Sequence, residues 1–148
     1  MSSNAFKFLR PGEFEQLAQS AGVKQYQSDD VLLKEGEKPT GIIIIQKGTV
    51  KVSREHMGFN IELAQHGEGE IFGEMSFIEA EPANTSVIAV GNVEALFVTH
   101  DQVKAIIREN PGFYGRFYQS LAYILSQRLR DTTGQVTSLG GDDWKSDS

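Results

Sequence analysis

The sequence predicts a mainly β fold in which a sandwich or barrel of short hairpins lies between helical ends. Glycines divide the middle of the chain into short segments rich in Ile, Val, Phe and Thr, which is typical of strands joined by turns. Val50 and Val52 alternate with polar neighbours, and the same period recurs at 61–64, as expected for strands with one buried face. The unbroken isoleucine run at 42–45 predicts a strand buried on both faces.

The segment before the sheet predicts one short helix. Phe14, Leu17 and Ala18 share one helical face. A Pro–Gly pair precedes them, and the helix is expected to end near Gly22. Later in the chain, a hairpin tip is expected at 56–60 and two further strands at 86–90 and 95–98, with a turn at 91–92 between these two strands.

Two helices are expected after the sheet. Thr99 and Gln102 have the spacing of a capping box, which predicts a short helix that ends at about Glu109. Asn110-Pro111 then suits the cap and first turn of a second helix, because proline lacks the N–H that this position leaves unused. That helix is expected to run to about Asp131, and the Gly/Ser/Asp-rich residues 132–148 to form a mobile acidic tail.

The long helix carries more apolar surface than one face of a sheet would cover. One interpretation is a thick helix whose whole apolar surface faces the core. The other is that part of this surface packs against a second copy of the chain or a partner protein. The candidate partner-contact residues are Phe113, Tyr114, Phe117, Tyr118, Leu121 and Leu125.

Composition restricts the possible functions. The chain has 148 residues, enough for one domain, and its net charge of −6 disfavours binding to nucleic acid or an anionic membrane. The absence of cysteine excludes disulfides, thiolate metal sites and cysteine nucleophiles. No secretion signal or membrane-spanning run is visible, so a cytoplasmic location is expected.

The segment Gly67–Phe77 resembles the phosphate-binding cassette of the cyclic-nucleotide-binding domain family. Residues 34–37 and 48–52 resemble the first hairpins of that family, and 110–111 and 126–130 resemble its long C-terminal helix. The resemblance covers residues 6–131. It implies a β-jelly roll (double-stranded β-helix) flanked by a short N-terminal helix and two C-terminal helices, the last one long.

The resemblance also implies a ligand-binding site. Gly73 would let the backbone approach a ligand closely, and the amides of residues 73–76 can form an anion-binding nest. In the family pattern, Glu74 accepts a hydrogen bond from the ribose 2′-hydroxyl, and Ser86 stands where a Ser or Thr touches phosphate and base. The candidate ligand-binding residues are Phe72, Gly73, Glu74, Met75, Ser76, Ala83, Asn84, Thr85 and Ser86.

The sequence departs from the family pattern at the residue that should clamp the phosphate. The family usually has Pro-Arg after the cassette, whereas Ala83 follows Pro82 here. Each charge-assisted hydrogen bond contributes about 1.5–3 kcal/mol, so losing the arginine should weaken phosphate binding roughly 10- to 100-fold or more. Residues 55–103 carry nine acidic side chains and no Lys or Arg, so the expected pocket is negative. Arg116 or Arg128 could replace the missing cation, although both also fit a solvated helix face.

Two other classes of protein fit less well. A metal-dependent enzyme on a jelly roll needs a paired histidine motif, but the three histidines, His56, His66 and His100, are far apart in sequence. A transcription factor of the catabolite-activator type needs a helix-turn-helix after the long helix, and only residues 132–148 remain for it. We therefore expect no enzyme activity, no metal site and no direct contact with nucleic acid.

The sequence thus predicts a stand-alone, non-catalytic regulatory or signalling module with a degenerate phosphate pocket. It is expected to act through protein–protein contacts and to form a homodimer through the long helix. The alternative is a genuine sensor of cAMP, cGMP or a related nucleotide that uses backbone amides, Glu74 and Ser86. No cofactor is expected, and a cyclic nucleotide, bound weakly or not at all, is the one small molecule that the resemblance implies.

Overall fold

The antiparallel strands and flanking helices expected from the sequence are present in the structure, which is a computed structural model. It describes residues 6–74 and 81–146, with side chains up to residue 130. A short N-terminal helix precedes the strands and two helices follow them, which confirms the predicted fold class. In chain order the elements are α1 (Glu13–Ser20), β1 (Gly22–Tyr26), β2 (Val31–Leu33), β3 (Gly41–His56), β4 (Phe59–His66), β5 (Ile71–Phe72), β6 (Ser86–Thr99), α2 (His100–Glu109) and α3 (Pro111–Ser146).

Two long strands organise the sheet. β3 and β6 pair antiparallel from Gly41↔Thr99 to Ser53↔Ser86, and the strand order is β1–β6–β3–β4. β2 pairs with β6, and β5 pairs with β3. The separate strands expected at 86–90 and 95–98 are therefore one continuous strand, and the turn expected at 91–92 is wrong.

The glycines explain this difference. Gly48 and Gly91 have φ values of +100° and +77°, and the β3–β6 register shifts on either side of residue 47. Such irregularities bend a strand and increase its twist without reversing the chain. Each long strand consequently bends, and its two halves contribute to different parts of the roll.

The isoleucine run lies between two hydrophobic cores. Ile42 and Ile44 pack with the helices, whereas Ile43 and Ile45 pack inside the roll. Because successive side chains of a strand point to opposite faces, this alternation confirms the strand predicted to be buried on both sides. The helix-side core also contains Phe113, Phe117 and Leu121, all completely buried.

The capping box that begins α2 is confirmed. The Gln102 N–H donates to Thr99 Oγ1 at 3.0 Å, and the Thr99 N–H donates to Gln102 Oε1 at 2.9 Å. These bonds satisfy backbone donors that have no partner within the helix.

Helix α3 is longer than predicted. It begins at Pro111 as expected, but the predicted end near Asp131 is wrong, because the helix extends to Ser146. The segment after Asp131 has no proline, and glycine costs only about 1 kcal/mol per residue in a helix, so Gly140-Gly141 does not force an end. The mobility predicted for residues 132–148 stays a prediction.

Helix α1 is joined to α3 by a buried carboxylate. Glu13 is 6% exposed and accepts hydrogen bonds from Arg116 Nε at 2.8 Å and Nη2 at 2.7 Å. The Arg10 N–H and the Asn110 side-chain amide donate to the same carboxylate. These bonds, chiefly those from Arg116, lower the pKa of Glu13 to about 2. Glu13 therefore stays ionised and fixes the start of α3 against the N-terminal helix.

Candidate ligand-binding site

The predicted cassette contains a glycine that no other residue could replace without strain. Gly73 has φ +87°, and a Cβ at this position would lie 2.5 Å from the Gly41 carbonyl oxygen. The tight approach between β5 and the start of β3 therefore depends on the missing side chain. Glu74 follows in a helical conformation, with 2% of its surface exposed. Met75 and Ser76, which the sequence analysis placed in the anion nest, lie outside the described residues.

A cavity of about 630 Å³ lies beside this cassette, within the size range of small-molecule sites. Leu125, Arg128 and Leu129 of α3 also line it. The structure thus brings together most of the predicted ligand-binding residues and adds a wall from α3. The predicted residues that line the cavity are Phe72, Gly73, Glu74, Ala83, Asn84 and Thr85.

Arg128 enters this site from α3. Its guanidinium donates hydrogen bonds to the Glu74 carboxylate and to the Ile71 carbonyl oxygen. Arg128 Nη2 also lies 3.6 Å from Glu70 Oε2, and the guanidinium carbon lies 5.0 Å from the centre of the Phe72 ring. The interpretation of Arg128 as a solvated surface arginine is wrong, because its guanidinium is bound to the cassette.

Arg116, the other candidate cation, does not reach this cavity. Its guanidinium is bound by Glu13, and this ion pair connects α3 with α1. The sequence offered no means of choosing between Arg116 and Arg128. Only the rotation and placement of α3 decide which arginine faces the cassette.

Burial and charge oppose each other at Glu74. Burial raises the pKa of Glu74, and the positive charge of Arg128 and the hydrogen bonds to the carboxylate lower it. Glu70 adds a smaller effect that raises the pKa, because it is a second negative charge nearby. Glu74 and Arg128 are thus a closely coupled pair in which each group compensates the charge of the other.

Ala83 occupies the position where the family pattern has its clamp, and it offers no charge to the cavity. Its backbone groups are also engaged: the Ala83 N–H donates to the Glu37 carbonyl at 2.9 Å, and the Gly36 N–H donates to the Ala83 carbonyl at 2.8 Å. Among the described residues lining the cavity, Arg128 is the only Lys or Arg, beside the carboxylates of Glu74 and Glu81. The described lining of the cavity therefore carries two carboxylates and one guanidinium.

Ser86 does not line this cavity, although the sequence analysis grouped it with the cassette. Its hydroxyl accepts a hydrogen bond from the Glu35 N–H at 3.0 Å, and it borders a separate depression on the outer face of the sheet. The next residue, Val87, is completely buried inside the roll. Since neighbouring side chains of a strand alternate, an inward Val87 turns Ser86 outward.

The predicted partner surface of α3 is divided by the way the helix packs. Phe113, Phe117 and Leu121 are completely buried in the core of this chain, so their assignment as partner contacts is wrong. Tyr114 is 54% exposed and its ring lies 4.7 Å from that of the half-buried Tyr118. Leu125 is half-buried and lines the cavity. The thick apolar surface is therefore mainly a core-facing one.

Within residues 6–74 and 81–130, whose side chains the structure describes, no three His, Asp or Glu side chains form a group able to hold a metal ion. No helix in the described part of the chain combines the length and apolar character required to cross a bilayer.

An antiparallel β roll flanked by helices, with a cavity lined by the cassette and the last helix, is the architecture of cyclic nucleotide-binding domains. The sequence profile of the cyclic nucleotide-binding domain family matches residues 23–110, more than half of the chain. The chain therefore belongs to the cyclic nucleotide-binding domain family.

Three relatives illustrate the relationship. The chain is 32% identical over 90 residues to the cAMP-dependent protein kinase type II regulatory subunit of Drosophila melanogaster, covering 61% of this chain and 24% of that protein. It is 28% identical over 130 residues to the cyclic AMP receptor protein of Thermus thermophilus, covering 87% of this chain and 58% of that protein. The crystal structure of the Thermus thermophilus catabolite activator protein superposes with a TM-score of 0.75 at 27% identity, covering 92% of this chain and 62% of that chain. The chain thus spans less than two thirds of the length of each of these relatives.

Proposed function

We propose that this chain is a non-catalytic regulatory module whose phosphate pocket is degenerate and which acts through protein contacts. The observation that carries the proposal is the pairing at the cassette. Ala83 lines the cavity where a clamping arginine would be needed, and Arg128, the one cation among the described lining residues, is held by Glu74.

The energies give Arg128 little reason to leave Glu74 for a phosphate. Turning Arg128 towards a ligand would remove it from Glu74 and leave a carboxylate that is only 2% exposed without its counter-charge. Breaking such a buried pair costs about 3–5 kcal/mol. A guanidinium–phosphate fork returns about 3–6 kcal/mol, from two bonds of about 1.5–3 kcal/mol each. The exchange is close to balanced, so Arg128 adds little net affinity for a phosphate.

The second candidate function is a cyclic-nucleotide sensor. The observation that favours it is the position of Arg128, which lines the cavity and can supply a cation that the cassette lacks. In such a sensor, Glu74 accepts a hydrogen bond from the ribose hydroxyl, and backbone amides donate hydrogen bonds to the phosphate. Ser86 contributes nothing directly, since it borders the other side of the sheet.

Calorimetric titration with cAMP and cGMP separates the two. We expect no binding by the wild type up to millimolar nucleotide, and binding by Ala83→Arg, since this substitution restores two charge-assisted bonds. Ala83→Met is the matched control, because it adds side-chain volume without charge and should not bind. Micromolar binding by the wild type would overturn the proposal, and its loss in Arg128→Met would establish the sensor.

The proposed protein contacts include a homodimer through the exposed side of α3, where Tyr114 and Leu129 are 54% and 69% exposed. Replacing Tyr114 with Ser removes an exposed aromatic ring without touching the buried residues Phe113 and Phe117. Sedimentation velocity should show a wild-type dimer that this substitution weakens. A wild type that stays monomeric at high protein concentration argues against the dimer.

A further inference from the structure

The fourth strand lies at an edge of the sheet and is unusually exposed. Among the described residues, its only strand partner is β3, which pairs with it from Val50↔His66 to His56↔Phe59. The opposite side of β4 therefore presents backbone groups that no described strand uses. An edge strand of this kind can serve as a template for a further strand.

The two faces of β4 differ in chemistry. Phe59 and Ile61 lie on one face and are 74% and 43% exposed. Asn60 and Glu62 lie on the other face, because successive side chains alternate. The strand thus presents an apolar row and an acidic, polar row to whatever pairs with it.

The acidic row continues into a depression of about 640 Å³ on the outer face of the sheet. Asn60, Glu35 and Glu55 line it, together with the nearly buried Ser53, which is 5% exposed. Glu35 Oε1 accepts a hydrogen bond from the Glu55 N–H at 2.9 Å, which holds the carboxylate at the rim. Lys34 is the one Lys or Arg among the described lining residues, so acidic groups outnumber basic ones in the lining of the depression.

We propose that the β4 edge binds an extended segment of a partner protein in which basic residues alternate with apolar ones. Main-chain hydrogen bonds to the free side of β4 supply affinity, and alternate side chains supply specificity, as in other cases of strand addition. The apolar residues of the segment cover Phe59 and Ile61. Its basic residues meet Glu62 and the acidic depression beyond it.

Charge selects this partner over a second copy of the chain. Two copies of β4 paired antiparallel about a two-fold axis would place Glu62 and its symmetry mate on the same face of one sheet. Like charges at neighbouring cross-strand positions are destabilising. A basic partner strand turns the same positions into attractive pairs, which are sensitive to salt because they lie at the surface.

The test uses the full chain, without nucleotide, and a capped synthetic decapeptide in which Lys and Val alternate. A decapeptide in which Glu replaces every Lys is the matched control. Fluorescence anisotropy should show binding of the Lys peptide at low salt that weakens as salt is added, and about tenfold or greater loss for the Glu peptide. Hydrogen exchange should slow at residues 59–66 when the Lys peptide binds, and stay unchanged at residues 22–26 of β1.

Two pairs of variants locate the surface. Glu62→Lys should weaken the Lys peptide about tenfold, whereas Glu15→Lys on α1, with the same charge change, should not. Ile61→Ser should weaken it several-fold, whereas Val23→Ser, which removes an exposed valine at β1, should not. Circular dichroism checks that each variant is folded.

The proposal is overturned if the Lys peptide fails to bind at millimolar concentration, if the Glu peptide binds as well, or if Glu62→Lys leaves binding unchanged. Protection at α3 in place of β4 would also overturn it, because the peptide would then be bound elsewhere. Self-association of the wild type that Ile61→Ser abolishes would point to a second copy as the occupant. Any of these failures leaves the proposed pocket chemistry intact, because nucleotide titration tests that separately.

Discussion

Replacing Arg128 with Met should destabilise the protein far more than an exposed arginine normally would. The guanidinium binds Glu74, whose side chain is 3% exposed, while the side chain of Arg128 itself is 27% exposed. Methionine keeps much of the aliphatic length and removes the charge. After the substitution Glu74 is still buried, but the positive charge that compensates its carboxylate is gone.

The expected magnitude follows from this burial. Removing one partner of a fully buried ion pair costs about 3–5 kcal/mol. The partial exposure of Arg128 admits water to the gap, so we expect a loss at the lower end of this range, about 3 kcal/mol, in the free energy of unfolding. The double variant Arg128→Met/Glu74→Gln removes both charges and should recover part of that loss, giving a coupling energy of about 2 kcal/mol.

Urea denaturation of the wild type, both single variants and the double variant measures this coupling. Arg130→Met is the matched control, because Arg130 is exposed on the same helix two residues further on. It should change the free energy of unfolding by less than about 0.5 kcal/mol. A coupling energy below about 0.5 kcal/mol between Arg128 and Glu74 would refute the reasoning.

The pH dependence supplies a second check on the same pair. Burial already raises the pKa of Glu74, and loss of Arg128 should raise it further. When the pKa of a carboxyl group is higher in the folded than in the unfolded chain, the free energy of unfolding falls as the pH rises above the unfolded-state value. For a glutamate this loss of stability begins above about pH 4. The destabilisation by Arg128→Met should therefore be larger at pH 8 than at pH 5.

Three further predictions concern the fold. The pKa of Glu13 is about 2 in the folded chain, whereas a glutamate in an unfolded chain has a pKa near 4.3. Ionised Glu13 therefore stabilises the fold above about pH 4.3, and this contribution is lost as the pH falls towards 2. Urea denaturation between pH 7 and 3 should show this loss, and Glu13→Gln should remove it; an unchanged slope would contradict the assignment. Thr99→Ala should lower the free energy of unfolding by about 1 kcal/mol, because it removes the cap of α2. Gly48→Ala should lower the melting temperature markedly, since its Cβ would lie 2.4 Å from the Asn92 carbonyl oxygen at φ +100°, and an unchanged temperature would show that the strand relaxes freely.

The local elements could be read well from sequence because their causes are local. The Thr99–Gln102 capping box depends on two side chains three residues apart, and both of its hydrogen bonds are present. The isoleucine run at 42–45 required only the two-residue period of a strand. The errors came where local signals are ambiguous. The Gly91-Asn92 pair is compatible with both a reverse turn and a bulge, and pairing of β3 with residues 86–90 and 94–99 on either side of it selects the continuous strand.

The candidate site divides in the same way. The glycine-led cassette and the missing clamp at Ala83 were visible in the chain, because they depend on which residues follow one another. The orientation of Ser86 could not be predicted from the sequence, since it depends on which face of β6 turns inward. The sequence also could not predict which side of α3 faces the core, because by spacing alone Phe113 and Phe117 fit a core and a partner surface equally well.

The sequence by itself determined the family, the cassette and the absence of a clamping arginine beside it. It also determined that residues 55–103 carry nine acidic side chains without a Lys or Arg. Only the tertiary structure decided that Arg128, far along the chain, lines the cavity and is bound by Glu74. The physical reason is that a charge acts through space, and the distance between a helix and a strand is fixed by the packing of the core between them.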